Sequence, residues 1–121
     1  MDQSILLADD ETTLLRLFSH VLERADYTTF SAPTSTEAET IFFEHADEIG
    51  ALVLDVNLPP EGAKRVLDVV LDRAPELPVL IVSGKPLEGA LAVEVEHRPH
   101  MHFLAKPFRP TELLAWVEAL P

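Results

Sequence analysis

ALVLD, residues 51–55, is a run of four apolar residues closed by an acid. Such a run leaves no polar face for water, so as a strand it belongs at the centre of a parallel sheet covered by helices on both sides. VLIVS, residues 79–83, repeats the pattern and closes on a hydroxyl. Outward from these two, short apolar runs alternate with longer segments of helical period, five times in all, which is the signature of βα units. The predicted strands are Ser4–Ala8, Tyr27–Ser31, Ala51–Asp55, Val79–Ser83 and His102–Ala105.

The segments between them carry helix signals. Thr12–Arg24 places Leu14, Leu15, Phe18, Val21 and Leu22 at helical spacing, an apolar stripe with polar residues opposite. TSTEAETIFFEHA follows Pro33 and offers Thr34 and Glu37 as a capping box. A third helix spans Ala63–Ala74, ended by Pro75 and Pro78. A fourth covers Leu87–Glu96, weakened by Gly89 and its valines. PTELLAWVEAL forms the last, with Pro110 at its first position and Glu112 in its first turn.

The chain has 121 residues, 47% hydrophobic and 25% charged, the balance of one globular domain, and a single domain over 1–121 is expected. Without cysteine it has no disulfide, zinc-thiolate site or thiol nucleophile. MDQSILLADDE lacks the basic and apolar regions of a signal peptide, and no apolar run approaches the roughly 20 residues that cross a bilayer; a cytoplasmic protein is expected. The formal charge of −12 repels nucleic acid and anionic membrane, so neither is an expected direct partner.

In an open parallel sheet the binding crevice lies beyond the carboxyl ends of the strands. The polar residues there are Asp9 and Asp10 after the first strand, Asp55 closing the third, Ser83 closing the fourth and Lys106 after the fifth. With the flavodoxin-like strand order 2-1-3-4-5, the first and third strands are neighbours and gather the three acids. Crowded carboxylates raise one another's pKa, and a hard divalent cation relieves the repulsion. A few oxygen ligands with room for water and a phosphoryl group suit magnesium (Mg2+) better than calcium. Acids after a strand also favour a helix start, and a lone strand-end Asp is often a turn residue; both readings stay open for the individual residues. A carboxylate is a competent nucleophile toward phosphorus when cations neutralise the phosphoryl oxygens.

ILLADDE, LVLDVNLP, VLIVSG and FLAKPF, in that order over essentially the whole chain, resemble the receiver domain of two-component response regulators. The resemblance implies a flavodoxin-like (βα)5 three-layer sandwich. It implies that Asp55 accepts a phosphoryl group from a histidine kinase or phosphotransfer protein, forming an aspartyl phosphate in a phosphorelay. It makes Asp10 a direct magnesium ligand, Asp9 a ligand mainly through water, and Asp55 and the main-chain carbonyl of Asn57 the others. Ser83 and Lys106 complete the catalytic set, with Ser83 also the switch hydroxyl and Phe103 the switch aromatic. The surface of helix four, strand five and helix five would signal, with the chain a monomer or a phosphorylation-dependent dimer that catalyses only its own phosphorylation and dephosphorylation. Gly84 would leave room for the phosphoryl group.

Three features depart from that pattern. Gly62 comes one residue early after Pro59 and Pro60, which predicts a shortened or reshaped loop; HRPHMH replaces the small pair common before strand five; and Arg109 stands where an acid or Asn often caps the last helix. Spaced His97, His100 and His102 lack a carboxylate or cysteine partner for a metal site. The competing functions are a magnesium-dependent phosphohydrolase with an Asp nucleophile, disfavoured because Asn57 sits where its general acid belongs, and a phosphorylation-silent docking module.

Overall fold

The computed structural model describes residues 3–121. Its elements run β1 (Ser4–Ala8), α1 (Thr12–Arg24), β2 (Thr28–Ala32), α2 (Ser35–His45), β3 (Ile49–Asp55), α3 (Ala63–Arg73), β4 (Val79–Ser83), α4 (Gly89–His97), β5 (Met101–Ala105) and α5 (Pro110–Glu118). The strands form one parallel sheet in the order β2-β1-β3-β4-β5, the flavodoxin-like arrangement expected.

Period-two alternation along the central strands divides the core into two layers. Leu6, Leu52, Leu54, Val79 and Ile81 face Ala38 and Phe42 of α2 and Val66, Leu67 and Val70 of α3. Ile5, Leu7, Ala51, Val53, Leu80 and Val82 face Leu15, Phe18 and Leu22 of α1 and Leu113 and Val117 of α5. Every residue of β1 and β4 is buried, as is all of β3 except Gly50, which explains the lack of polar positions in ALVLD and VLIVS.

Several boundaries differ from those expected, each for a local reason. Tyr27 is outside β2 because its N–H donates to the Leu22 carbonyl at 3.0 Å, closing the end of α1 around Asp26 in the left-handed region at φ 71°. Its expected strand therefore begins and ends one residue later. β3 begins two residues earlier, at Ile49, with a register shift against β1 at Ser4/Ile5. Gly50 is required there, since a Cβ would press into the Gln3 side chain. β5 starts at Met101, buried opposite Val79. Helix α3 stops at Arg73, and α4 begins at Gly89 because Glu88 is extended.

Two helix starts are held by side chains, α2 by one half of the expected capping box. Glu37 N–H donates to Thr34 Oγ1 at 3.1 Å. At α5, where Arg109 offers no acceptor, Glu112 closes the other half by accepting from the Arg109 N–H at 2.9 Å. Helix α4 stands apart: none of its residues is buried, and Leu91 and Val95 only rest against the core.

Candidate functional site

The strand ladders continue one step past the strands and so fix the residues that follow. Asp9 N–H donates to the Ala32 carbonyl at 3.1 Å, Val56 N–H to Val82 at 3.0 Å and Lys106 N–H to Ser83 at 2.8 Å. Asp9, Asp55, Ser83 and Lys106 are thereby set side by side at the carboxyl ends of the strands, on backbone held by hydrogen bonds to the neighbouring strands. Asp9, Asp55 and Ser83 are buried, whereas Asp10 is exposed.

One carboxylate oxygen from each of Asp9, Asp10 and Asp55 lies within 4.8 Å of the others. Lys106 Nζ reaches into this group, donating to Asp9 Oδ2 at 2.8 Å and Glu11 Oε1 at 3.1 Å and standing 3.6 Å from Asp55 Oδ1. Burial, and next the Asp9 charge, raise the pKa of Asp55; Lys106 and the Asn57 backbone pull it back only in part. Burial works to lower the pKa of Lys106, but hydrogen bonds to Asp9 and Glu11, with the charges of Asp9 and Asp55, raise it on balance. One ammonium therefore serves three carboxylates and leaves residual negative charge on Asp55. All the side-chain donors are hard oxygens with one face open at Asp10, a set that fits a hexacoordinate cation keeping several of its own waters.

The helix-start reading of the acids is true in part: Asp9 Oδ1 accepts from the Glu11 N–H at 2.9 Å, while Oδ2 takes Lys106. Glu11, to which the sequence assigned no role, is a second partner of the lysine. Its signal was its place beside the acid pair, where an N-cap is the simpler explanation; its side chain makes no cap hydrogen bond.

The loop after Asp55 is anchored. Leu58 is fully buried, Ser35 N–H donates to the Pro59 carbonyl at 2.7 Å, and Glu61 N–H donates to Ser35 Oγ at 3.0 Å. Gly62 follows at φ 82°, in the left-handed region that suits glycine. Asn57 is exposed in the turn two residues past Asp55.

Ser83 Oγ accepts from the Lys85 N–H at 3.1 Å. A Cβ at Gly84 would meet no atom within 4 Å, so neither packing nor backbone requires that glycine. Phe103, opposite Ile81 on edge strand β5, is 36% exposed. Beside Lys106 a hollow of about 460 Å³ is walled by Leu14, Phe18, Pro107 and Phe108, two of whose rings stack at 5.2 Å. A larger hollow of about 1070 Å³ lies at the opposite ends of the strands, away from the acids. Among the described residues the Asp9, Asp10 and Asp55 group is the one cluster of three potential metal-ligating side chains, and His97, His100 and His102 form none. No helix among the described residues is long and apolar enough to cross a membrane.

The sequence model of the "Response regulator receiver domain" matches residues 5–118. "Regulatory protein VanR" of Enterococcus faecium is 29% identical over 98% of this chain and 50% of its own length. Among solved structures, a response regulator receiver protein from Sinorhizobium medicae WSM419 is 28% identical, with a TM-score of 0.79 over 96% of this chain and 91% of that one. The chemotaxis protein CheY4 of Vibrio cholerae, at 21% identity, shares the fold with a TM-score of 0.85 over the whole of both chains. The chain spans about half or less of the length of the curated relatives it matches.

Proposed function

This chain belongs to the response regulator receiver domain family, and on that premise we propose that Asp55 is its phosphoacceptor, served by Asp9, Asp10, Ser83 and Lys106. The observation that carries the reading is the convergence of Asp9, Asp10 and Asp55 within 4.8 Å, with Lys106 Nζ 3.6 Å from Asp55. Family members take phosphoryl groups from histidine kinases or phosphotransfer proteins, and a partner of that class is proposed here.

The residues divide the work. A carboxylate oxygen of Asp55 forms the new bond to phosphorus as the donor's bond to phosphorus breaks, and the leaving group departs with the electron pair. Burial leaves that carboxylate poorly compensated, so its charge is readily shared with an incoming phosphorus. Lys106 offers its ammonium to the phosphoryl oxygens, and Ser83 offers a hydroxyl from the neighbouring strand end. Asp9, Asp10, Asp55 and the Asn57 carbonyl would hold magnesium, whose charge, when bound, offsets that of the phosphoryl oxygens.

Phosphorylation adds about −1.5 to −2 charges at pH 7. The domain would signal by drawing Ser83 toward the new group and letting Phe103 turn inward, so changing the α4-β5-α5 surface. The exposure of Phe103 and the absence of any buried residue in α4 support that surface as the one able to move. A cytoplasmic protein, monomeric or dimerising on phosphorylation, is part of the same proposal.

Turnover of external phosphate esters is disfavoured, because the Asn57 amide is not acidic and cannot protonate a leaving group where a phosphohydrolase of this design needs an acid. Incubation with magnesium and acetyl phosphate tests the reading: the intact mass should rise by one phosphoryl group and stay unchanged for Asp55→Asn. Equal labelling of that variant would refute the assignment.

A further inference from the structure

Lys106 is held by more than the buried acids. Its Nζ lies 3.1 Å from Glu11 Oε1 and 2.8 Å from Asp9 Oδ2, but 3.6 Å from Asp55 Oδ1, beyond hydrogen-bond range. The Glu11 backbone is fixed in turn, because its N–H donates to the same Asp9 carboxylate. The Glu11 side chain has no capping duty on α1. A closed loop of three hydrogen bonds thus joins Asp9, Glu11 and Lys106, with the ammonium nearer to Asp9 and Glu11 than to Asp55.

We propose that Glu11 is a positioning residue that competes with Asp55 for Lys106 and so restrains phosphorylation of the domain. The inference rests on the phosphoacceptor reading of Asp55 given above. As phosphoryl transfer proceeds, negative charge gathers on the oxygens at Asp55, and Lys106 answers it by leaving Glu11. Asp9, which is buried, keeps its own hold on the lysine. Glu11, whose side chain is 58% exposed, is the partner that water can replace, so its release costs little and its removal has a bounded effect. An exposed ion pair is worth up to about 1 kcal/mol, so the rate should change about two- to fivefold. Shortening the side chain by one methylene should release the lysine while leaving the charge in place, which separates this competition from simple repulsion of an anionic donor.

The test follows phosphorylation of the full chain by acetyl phosphate at saturating magnesium. Asp55 Oδ forms the P–O bond, the acetyl P–O bond breaks, and acetate leaves with the electron pair. Rates are measured across donor concentrations for the parent, Glu11→Gln, Glu11→Asp and Glu88→Gln; the last removes an equal charge from an exposed position that makes no ion pair among the described residues. Both Glu11 variants should raise the maximal rate about two- to fivefold with little change in half-saturating donor, and Glu88→Gln should track the parent. An unchanged or lower maximal rate in Glu11→Gln overturns the proposal. So does a change confined to half-saturation that Glu11→Asp lacks, since that is donor repulsion. Failure of the parent itself to label would remove the phosphoacceptor reading, and the proposal with it.

Discussion

Replacing Lys106 by Met keeps most of the aliphatic stem and removes only the ammonium. The side chains of Asp9 and Asp55 are 4% and 6% exposed, so without magnesium the variant faces two buried carboxylates with no cation between them. Stripping one partner from a fully buried ion pair costs about 3–5 kcal/mol. Here the loss is smaller. Asp9 keeps its hydrogen bond from Glu11, the crevice is open at Asp10, and the exposed Glu11 contact contributes under about 1 kcal/mol. We expect a loss of about 2–3 kcal/mol at pH 7.5, or a melting temperature lower by about 10 °C in a domain of this size. The deficit should depend on pH with a definite sign. Asp55 already has a raised pKa in the folded chain, and loss of the lysine raises it further. As pH falls, the folded variant takes up protons before the unfolded chain does, which favours the fold. The gap to the parent should therefore narrow between neutral pH and about pH 4.5. Urea denaturation at both pH values, without magnesium and with m-values compared, measures it. A loss of equal size at both would mean that Lys106 stabilises the fold by packing, and the electrostatic account of the crevice would fail.

Two further outcomes follow from the crowded acids. Asp55→Asn should stabilise the metal-free chain at neutral pH: a carboxyl whose folded pKa is raised destabilises the fold above that pKa and has no such effect below its ordinary value of 3.8. The gain should disappear in melts at low pH, and a variant less stable than the parent at pH 7.5 would contradict it. Magnesium should raise the melting temperature of the parent by linkage, about 2.7 kcal/mol at a hundredfold excess over the dissociation constant. Asp10→Ala should flatten that titration, and an unchanged response would remove Asp10 from the ligand set.

Where side-chain pattern alone decides structure, the sequence was a sufficient guide. The buried strands β1 and β4 and helix α1 fall at the residues their apolar periodicity indicates, and the strand ends then locate Asp9, Asp55, Ser83 and Lys106. Pattern failed where the backbone decides. The early start of β3 depends on Ile49 pairing with Ser4 and on Gly50 passing close to Gln3 just ahead of β1, and the displaced start of β2 depends on how Tyr27 closes α1. The loop from Val56 to Gly62 was legible as unusual, but its anchoring through Ser35 joins residues 26 positions apart. Glu11 escaped notice for a similar reason, since its partner Lys106 lies 95 residues away.

Asp55, and neither Asp9 nor Asp10, is the proposed phosphoacceptor. Borohydride reduction of the acetyl phosphate-treated chain converts an aspartyl phosphate to homoserine, which peptide sequencing by mass spectrometry then locates. Homoserine is expected at position 55 alone, and only when magnesium was present. Homoserine at position 9 or 10, or equal conversion at 55 in the presence of a chelator, would contradict that assignment.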